Sequence, residues 1–428
     1  MIPDSMILGA VCILKDEADT LADMFATLEG ARFDEVILGV DSKSSDATLE
    51  MCRRFKAIHQ DIAVTVYEFS IDPWSFAKGR NTGLDRAQAK FMVYLEGHER
   101  IFYRQWPAVR DTIEKVMAIG DGDDAPDLIQ AMTLCGYSEN QAITDSVPHE
   151  RAWRNKPAIR YTRNVHNILD GHNRRIVTIE PTRWCVEHVR PFFQDEERQK
   201  QRNAMIPVEV GAELKTELEK EARGERCNVN RPLYYLGNHW LTQEKDPEKA
   251  AAYYVEFLKR PSRNTHEDVS VHCLLGACLM QQSKGKDVEE AIELRNMARR
   301  QWIAATARIP TRAEGWVELG ESYMNRAWPE FDTDLALFYL QVATLCKYPR
   351  NAGVSLDRRK YEYWPFIRIA EIYAEVGILD HAIDVLERAR KFPDGVDVVE
   401  PTLRDLRAKL AEHPDLTYDS RVALLAGA

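Results

Sequence analysis

Glu96, Gly97, His98 and Glu99 place two carboxylates and an imidazole side by side in the sequence. They follow the apolar run 91–95, which predicts a buried strand. A carboxylate and an imidazole separated by one residue can face the same space and bind a divalent cation. The intervening glycine would leave room for a phosphate-bearing ligand. These residue types predict a cation or phosphate site where a core strand ends.

Two further segments carry polar residues that could bind a ligand. Asp41 in "VDSKSSDAT" follows an apolar strand and precedes a turn rich in Ser and Asp. Arg80 and Asn81 lie in the helical segment "FAKGRNTGLDRA", with Lys78 nearby. Taken alone, the first is typical of a strand-to-helix turn with an N-cap, and the second of a solvated helix face.

The elements that must position these residues alternate along the first hundred residues. The predicted strands are 6–14, 35–40, 63–69 and 91–95, and the predicted helices are 17–28, 46–55 (with Asp46 as N-cap) and 74–89. Alternating strands and helices predict a parallel sheet covered on both faces. Ligands of such sheets bind beyond the carboxyl ends of the strands, which is where Asp41 and the segment 96–99 fall.

After Arg231 strand signals end and a helical repeat begins. Small residues, aromatic residues and proline recur in the order of tetratricopeptide repeats, most clearly in "YWPFIRIAEIYAEVGILDHAIDVLERARKFP". The four copies contain Leu236, Gly237, Trp240, Ala250, Tyr254 and Pro261; Leu275, Gly276, Trp302, Ala305 and Pro310; Trp316, Leu319, Gly320, Tyr323, Ala336, Ala343 and Pro349; and Ala370, Tyr373, Ala382, Leu386, Ala389 and Pro393. An irregular helical bundle is the less favoured alternative.

The fold class predicted from these patterns is an α/β domain with a mainly parallel sheet, followed by an all-α domain of tetratricopeptide-like repeats. The predicted domains are 1–200, a helical linker at 201–230, and 231–428. The sheet domain would carry the chemistry. The repeats would offer concave surfaces to partners.

The composition of the chain argues against several classes of protein. The 428 residues are 45% hydrophobic and 29% charged, with a net charge of −11, which argues against a protein that coats nucleic acid through bulk charge. No apolar run approaches the ~20 residues needed to span a bilayer, so we expect no membrane insertion. The 8 cysteines show no CxxC pairing, which favours reduced thiols in a cytoplasmic protein.

The order of the motifs resembles a family-2-type glycosyltransferase of the GT-A fold. "VCILKDEADTLADMFATLEG" is similar to the opening strand and helix of that family, and "VDSKSSDAT" to its Asp-x-Gly-Ser-x-Asp-x-Thr turn. "FAKGRNTGLDRA" resembles its Arg-Asn helix, and "FMVYLEGHE" lies where the family carries Asp-x-Asp. The resemblance covers about the first half of the chain.

The resemblance implies a site for a UDP-linked sugar donor. Asp41 would accept a hydrogen bond from uracil, Glu17 would bind the ribose, and Arg80 would neutralise pyrophosphate oxygens. Lys43 stands where the family's turn usually has glycine. The residues expected to bind the donor are Glu17, Asp41, Lys43, Arg80, Asn81, Glu96 and Arg154.

The resemblance also implies a metal site. Glu96 and His98 would replace the two Asp residues of Asp-x-Asp, and His188 in "WCVEHVRP" resembles the family's late metal-binding histidine. The expected metal is Mn²⁺ or Mg²⁺, and imidazole ligands favour Mn²⁺. The ligands would be Glu96, His98 and His188.

The catalytic base is left open by the resemblance. "RAWRNKPAIRYTRNVHN" is similar to a segment that ends in His-Glu, whose Glu deprotonates the acceptor hydroxyl. Here Asn167 follows His166, and an amide is not a base at neutral pH. Glu99, Asp170 or His166 would act instead, and direct in-line attack would invert the anomeric centre.

The acceptor is also open. Seven basic residues between 151 and 175 outnumber one acid, with Trp153 and Tyr161 interleaved. They are Arg151, Arg154, Lys156, Arg160, Arg163, Arg174 and Arg175. The favoured interpretation is a phosphate-binding wall for the donor plus solvated surface. The sharper interpretation is a groove for DNA.

The leading hypothesis is a soluble, metal-dependent glycosyltransferase acting on a protein, glycan or lipid head. The alternatives are a DNA glycosyltransferase acting on a hydroxylated base and a non-catalytic tetratricopeptide scaffold with a degenerate transferase site. Asn167 and Lys43 favour the scaffold, whereas the ordered motifs favour the enzyme. The helical repeats would recognise the acceptor or mediate self-association into a homo-oligomer.

Overall fold

The computed structural model describes residues 6–71, 75–120, 122, 124–137, 143–163, 168–173, 175–189, 196–261, 264–349 and 352–426. The chain divides into two compact units. One comprises the residues up to 136 together with 146–199, and the other comprises 137–145 together with the residues from 200 onward. The predicted fold class is confirmed: the first unit is built on a mixed, largely parallel sheet with helices, and the second is almost entirely helical.

The sheet unit contains eleven strands among the described residues. They are β1 (Leu8–Leu14), β2 (Glu35–Asp41), β3 (Ala63–Phe69), β4 (Phe91–Tyr94), β5 (Glu99–Ile101), β6 (Leu128–Tyr137), β7 (Ile143–Arg154), β8 (Arg160–Thr162), β9 (Ile168–Asp170), β10 (Ile176–Thr178) and β11 (Val186–His188). The main sheet has the order β3-β2-β1-β4-β7-β6-β11-β5, with β10 on β6. β1 pairs in parallel with β2 and β4, whereas β4–β7 and β11–β5 are antiparallel.

Helices and a short ribbon cover both faces of this sheet. The helices are α1 (Leu21–Gly30), α2 (Thr48–Ile58), α3 (Phe76–Leu84) and α4 (Trp106–Ala118), with a 3₁₀ turn at Tyr103–Gln105. α1, α2 and α4 bury Leu28, Phe55 and Ile113 on one face. α3 and the β8–β9 ribbon bury Leu84 and Tyr161 on the other. Every residue of β1 and β2 is buried, as expected for strands covered on both sides.

Several predicted boundaries in this unit need correction, and the helix predicted at 74–89 is the shorter α3, Phe76–Leu84. α1 begins at Leu21 instead of residue 17, because Asp16 adopts a left-handed φ of 51° and the chain makes a turn first. Asp46 is not the N-cap of α2, which is Ala47. Its carboxylate instead accepts hydrogen bonds from the backbone N–H groups of Thr48 and Ala18, both at 2.9 Å, and so ties two loops together.

The second unit is a succession of helices. They are α5 (Glu196–Ala222), α6 (Asn230–Thr242), α7 (Pro247–Leu258), α8 (Thr265–Gln282), α9 (Val288–Arg308), α10 (Ala313–Glu321), α11 (Thr333–Ala343), α12 (Trp364–Glu375), α13 (Leu379–Ala389), α14 (Pro393–Glu412) and α15 (Tyr418–Ala426). A two-residue strand, β12 (Leu356–Asp357), and a 3₁₀ turn, Arg358–Tyr361, lie between α11 and α12. From α6 to α14 each helix packs against the next.

The predicted repeats are confirmed by the contacts at their glycines. In three helix pairs a glycine on the first helix meets a large side chain of the second, and an added Cβ would overlap it. The pairs are Gly237 with Tyr254, Gly276 with Trp302 and Gly320 with Leu340, at Cβ distances of 2.4, 2.3 and 2.6 Å. In the α12–α13 pair, buried Ala370 holds the position of the glycine and buried Leu386 that of the large side chain. Small residues therefore set the helix spacing, as tetratricopeptide packing requires.

Two expectations from composition concern the whole chain. Seven of the eight cysteines are free thiols: Cys12, Cys52, Cys185, Cys227, Cys273, Cys278 and Cys346. None of the helices in the described part combines the length and apolar character needed to cross a bilayer.

Candidate functional site

The turns that follow β1 and β4 meet at His98. β1 and β4 are parallel neighbours, with Val11 opposite Tyr94, so their carboxyl ends lie at the same edge of the sheet. His98 Nδ1 lies 3.6 Å from Glu17 Oε1, and His98 Nε2 lies 3.3 Å from Glu96 Oε2. One imidazole therefore lies between carboxylates from two separate segments.

Gly97 has a different role from the one that the sequence suggested. A Cβ at Gly97 would lie 2.6 Å from Cγ of Glu17 and 3.0 Å from Cδ2 of Leu14. The space that glycine leaves is thus occupied by the Glu17 side chain and by core, and not left open for a phosphate-bearing ligand. Glycine is needed here because the two turns pack closely against each other.

His188 reaches the same place from the far end of the sheet. β11 runs antiparallel to β5, with His188 opposite Glu99. His188 Nε2 lies 3.0 Å from Glu99 Oε1, and the His98 and His188 rings are 4.9 Å apart in an edge-to-face arrangement. Two of the three residues predicted to bind metal are therefore neighbours, and the third, Glu96, contacts one of them.

Glu99 is a buried carboxylate with four polar contacts. Arg151 donates to both of its oxygens, Nη2 to Oε1 at 2.7 Å and Nη1 to Oε2 at 2.9 Å. The Glu96 backbone N–H donates to Oε2 at 2.8 Å, and His188 lies against Oε1. Burial by itself raises the pKa of Glu99, but Arg151 and His188 outweigh it and hold that pKa well below its usual range. A carboxylate held in this state orients its neighbours and is poorly suited to take a proton as a catalytic base.

Arg80 lies between two aromatic rings and a carboxylate. Its guanidinium carbon is 3.8 Å from the centre of the Tyr94 ring and 4.9 Å from that of Tyr161, and Nη2 donates to Glu96 Oε1 at 2.9 Å. Asn81 is a structural neighbour: its side-chain amide exchanges two 2.9 Å hydrogen bonds with the backbone of Tyr161. Asn81 therefore positions the β8 ribbon that flanks Arg80.

We refer to Glu17, Arg80, Glu96, His98, Glu99, Arg151 and His188 as the strand-exit cluster. Burial and Glu99 raise the pKa of Glu96, but His98 and Arg80 outweigh them and lower it. Burial opposes a charge on His98, yet the hydrogen bond that its ring donates to Glu17 and the charges of Glu96 and Glu99 raise its pKa to about 9. In this arrangement His98 therefore carries a proton at neutral pH and balances the carboxylates.

Asp41 lies at the end of β2, next to the turn that carries Glu17. The Asp41 side chain is buried, accepts from the Lys43 backbone N–H at 2.9 Å, and lies 3.9 Å from Lys15 Nζ. The Lys43 side chain is exposed. The two turns are joined by a 2.8 Å hydrogen bond from the Glu17 N–H to Thr48 Oγ1. Asp41 is thus connected to the strand-exit cluster through backbone contacts.

Two further predicted site residues, Arg154 and Asp170, have other surroundings. Arg154 pairs with Phe91 at the start of β4, the opposite end from Glu96, and donates to backbone carbonyls of Val116, Gly120 and Pro126. Asp170 is exposed on β9 and accepts from the N–H of Gly171. His166 and Asn167 lie outside the described residues.

The basic segment 151–175 is largely neutralised by acids from elsewhere in the chain. Arg151 and Arg154 are buried in β7, and three other basic residues form ion pairs. The pairs are Lys156 with Asp127, Arg160 with Asp85 and Arg175 with Asp124. The Lys156 and Arg175 side chains stay exposed within these pairs, so the phosphate-binding wall and solvated surface stay a prediction, and a groove for DNA gains no support from these side chains.

The donor types of the cluster suit a divalent transition ion, because imidazole and carboxylate are ligands that such ions accept. Among the described residues, however, no three His, Cys, Asp or Glu side chains are arranged to hold a metal ion. The carboxylates face arginine and imidazole groups: Glu99 faces Arg151, and Glu96 faces Arg80. Occupancy by a metal would require Glu96 and His98 to turn toward a common point.

The sequence interpretation placed Arg151 and Tyr161 in a basic segment and did not link them to Glu99 and Arg80, and it missed Tyr94 as part of this site. Arg151 lies on β7, a strand that was not predicted, and Thr133 on β6 also accepts from its guanidinium at 3.1 Å. Tyr94 was taken as strand core, although a tyrosine at the last position of a buried strand is a signal that one end meets polar groups.

No family model matches the chain. It is 23% identical over 323 residues to a TPR repeat-containing protein of Synechococcus elongatus, with 73% of this chain and 70% of that protein covered. Among solved structures it is similar to S. aureus TarS 1-349 in complex with UDP-GlcNAc, with 12% identity, a TM-score of 0.36, and coverage of 69% of this chain and 92% of that chain. It is also similar to the mannosyltransferase PcManGT from Pyrobaculum calidifontis in complex with GDP-Man and Mn²⁺, with 14% identity, a TM-score of 0.37, and coverage of 73% and 86%. These TM-scores are too low for the likeness to carry an argument about function.

Proposed function

We propose that this protein is a glycosyltransferase that moves a sugar from a nucleotide-sugar to an acceptor hydroxyl. The carrying observation is the strand-exit cluster itself. Glu17, Glu96 and His98 follow the carboxyl ends of parallel strands, and Arg80 and His188 reach the same place from other elements. Ligands of open α/β sheets bind at such an edge.

The donor is proposed to lie along this edge with its diphosphate at Arg80. The Tyr94 and Tyr161 rings and Glu96 hold the guanidinium in one orientation, and a fixed charge stabilises a developing diphosphate leaving group without reorganisation. Asp41 and Glu17, on the turns after β2 and β1, are proposed to bind the base and the ribose.

A divalent metal ion, Mn²⁺ in preference to Mg²⁺, is proposed as the cofactor, with His98, His188 and Glu96 as its ligands. When bound it would supply Lewis-acid stabilisation of the diphosphate. Glu99 and Arg151 are proposed as positioning residues, because Glu99 contacts both His188 and the backbone N–H of Glu96. The base that activates the acceptor stays a prediction among His166 and Asp170, since Glu99 is engaged.

The function can be tested by donor binding and hydrolysis. The donors to try first are UDP-GlcNAc and GDP-Man, the ligands of TarS and PcManGT, each with Mn²⁺, with Mg²⁺ and with EDTA. We expect nucleotide binding by calorimetry and slow release of nucleoside diphosphate. A non-catalytic scaffold would release none with any donor.

The metal assignment has its own test in His98→Ala. We expect loss of Mn²⁺-dependent nucleotide binding, because the central imidazole between Glu17 and Glu96 is removed. His59→Ala is the matched control, since His59 also pairs with a carboxylate, Glu29 at 2.9 Å, but directly follows α2 and is not part of the cluster. Unchanged metal-dependent affinity in His98→Ala would remove the metal assignment.

A further inference from the structure

α11 turns an apolar stripe toward solvent. Leu335, Phe338 and Leu345 are 37%, 55% and 77% exposed, and Val342 between them is half-buried. Their spacing of three, four and three residues puts all of them on one helix face. The opposite face packs into the core through Ala336, Leu340 and Ala343. Beyond the helix end at Ala343 the turn continues, with the Leu345 N–H donating to the Val342 carbonyl at 3.1 Å.

The equivalent helices of the other repeats do not share this stripe. Aligning their buried positions with Ala336, Leu340 and Ala343 gives the corresponding outward residues. On α13 they are His381, Asp384, Arg388 and Lys391, and on α7 they are Lys249, Ala252, Glu256 and Lys259. On α9 they are Met297, Arg300, Ala304 and Ala307, so α9 carries one large apolar side chain where α11 carries four.

The stripe is symmetric along the helix. Leu335 and Leu345 are equally far from residue 340, and so are Phe338 and Val342. Two copies of α11 that pack antiparallel about a two-fold axis near residue 340 would place Leu335 opposite Leu345 of the second copy, and Phe338 opposite its Val342. A two-fold interface requires this kind of self-complementary pattern.

The charges at the two ends of the stripe are nearly symmetric, at six residues before and seven residues after residue 340. Asp334 lies at the amino-terminal end and Lys347 beyond the carboxyl-terminal end, and both are exposed. Among the described residues, neither side chain takes part in an ion pair. In the antiparallel arrangement each Asp334 would face Lys347 of the second copy, whereas a parallel arrangement would place like charges together. Antiparallel helix dipoles favour the same arrangement.

We propose that α11 is a homodimer interface, in which two copies of this chain pack their Leu335–Leu345 stripes antiparallel around a two-fold axis. The occupant of the stripe is a second copy, because the apolar pattern and the flanking charges are both complementary to themselves. A single helix face supplies fewer than the roughly 20–30 residues per side of a stable interface. The dimer is therefore weak and dissociates on dilution.

The first test is sedimentation velocity of the full chain from low to high micromolar concentration. We expect a reversible monomer–dimer equilibrium, and Phe338→Glu should raise the dissociation constant at least about tenfold. Val255→Glu on α7 is the matched control, because Val255 is similarly exposed, at 45%, outside the stripe. Circular dichroism should report folded helices in both variants, since both side chains face solvent. A chain that stays monomeric at every concentration, or a dimer that Phe338→Glu leaves unchanged, would overturn the proposal.

The second test concerns the orientation. Asp334→Lys and Lys347→Asp should each weaken the dimer, and the double variant should restore it, because the reversed pair is again complementary only in the antiparallel arrangement. Single variants that weaken the dimer without restoration in the double variant would overturn the antiparallel pairing. The effect of the single variants should fall at high salt, as for exposed charges.

Discussion

The strand-exit cluster and the repeat interfaces are packed in different ways: the cluster buries charged groups, and the repeat interfaces bury apolar ones. In the cluster, charged groups lie 2.7 to 3.6 Å apart and several of them are buried. At the repeat interfaces a glycine or alanine lies against an aromatic or aliphatic side chain, as at Gly276 and Trp302. Burying charge costs free energy that only good pairing offsets, whereas apolar packing stabilises directly. This difference supports our proposal that the cluster serves binding or chemistry, whereas the repeats provide a defined shape.

The largest expected effect on stability comes from a substitution that breaks the buried Glu99–Arg151 pair of the cluster. Glu99→Ala leaves Arg151 buried without its carboxylate, which costs about 3–5 kcal/mol of unfolding free energy in such pairs. The measurement is urea unfolding, with hydrogen exchange of β4 and β7 as the local reporter. Glu68→Ala is the control, because Glu68 pairs with Arg53 at the surface and should cost no more than ~1 kcal/mol. Equal losses of unfolding free energy in Glu99→Ala and Glu68→Ala would contradict the view that the cluster depends on a buried ion pair.

A smaller effect is expected at the repeat interfaces. Gly276→Ala places a methyl group where the Trp302 ring lies 2.3 Å away, and overpacking of this kind costs about 1–3 kcal/mol. Hydrogen exchange of α8 and α9 would report it. Gly211→Ala in α5 is the control: no atom lies within 4 Å of its added Cβ, so the change should stabilise that helix by roughly 0.5–1 kcal/mol. If both substitutions stabilised the protein, the close approach at Gly276 would be disproved.

A substitution of Arg80 should have the smallest effect on stability but a clear effect on nucleotide binding. Arg80→Lys keeps the charge but loses the planar group that lies over Tyr94 and donates to Glu96. We expect about tenfold weaker binding of a nucleoside diphosphate, or ~1.4 kcal/mol, with little change in unfolding. Isothermal titration calorimetry and a thermal melt would measure both.

Arg86→Lys provides the control for that substitution. Arg86 also lies over a tyrosine ring, Tyr67 at 4.1 Å, but it is exposed beyond the end of α3. Its replacement should leave nucleotide affinity unchanged. Equal losses of affinity in the two variants would mean that Arg80 has no special relation to the donor.

The elements and the repeats could be predicted from the sequence because their signals are local. β3 lies at the predicted residues, and β2 and β4 each differ from the prediction by one residue at the carboxyl end. Hydrophobic periodicity is set within a few residues, and each repeat pair brings together residues less than 30 positions apart, such as Gly276 and Trp302. The order of the polar motifs also predicted that Glu96, His98 and His188 would meet.

The pairing of the charges was decided only by the tertiary structure. Glu99 contacts Arg151, 52 residues away, because β7 lies antiparallel beside β4. No local sequence pattern predicted β7. The Glu17 side chain fills the space beside Gly97, because β1 and β4 are neighbours in the sheet. A run of basic residues in the sequence does not specify which acids face it. Strand order and direction make that choice, and they depend on packing across the whole sheet.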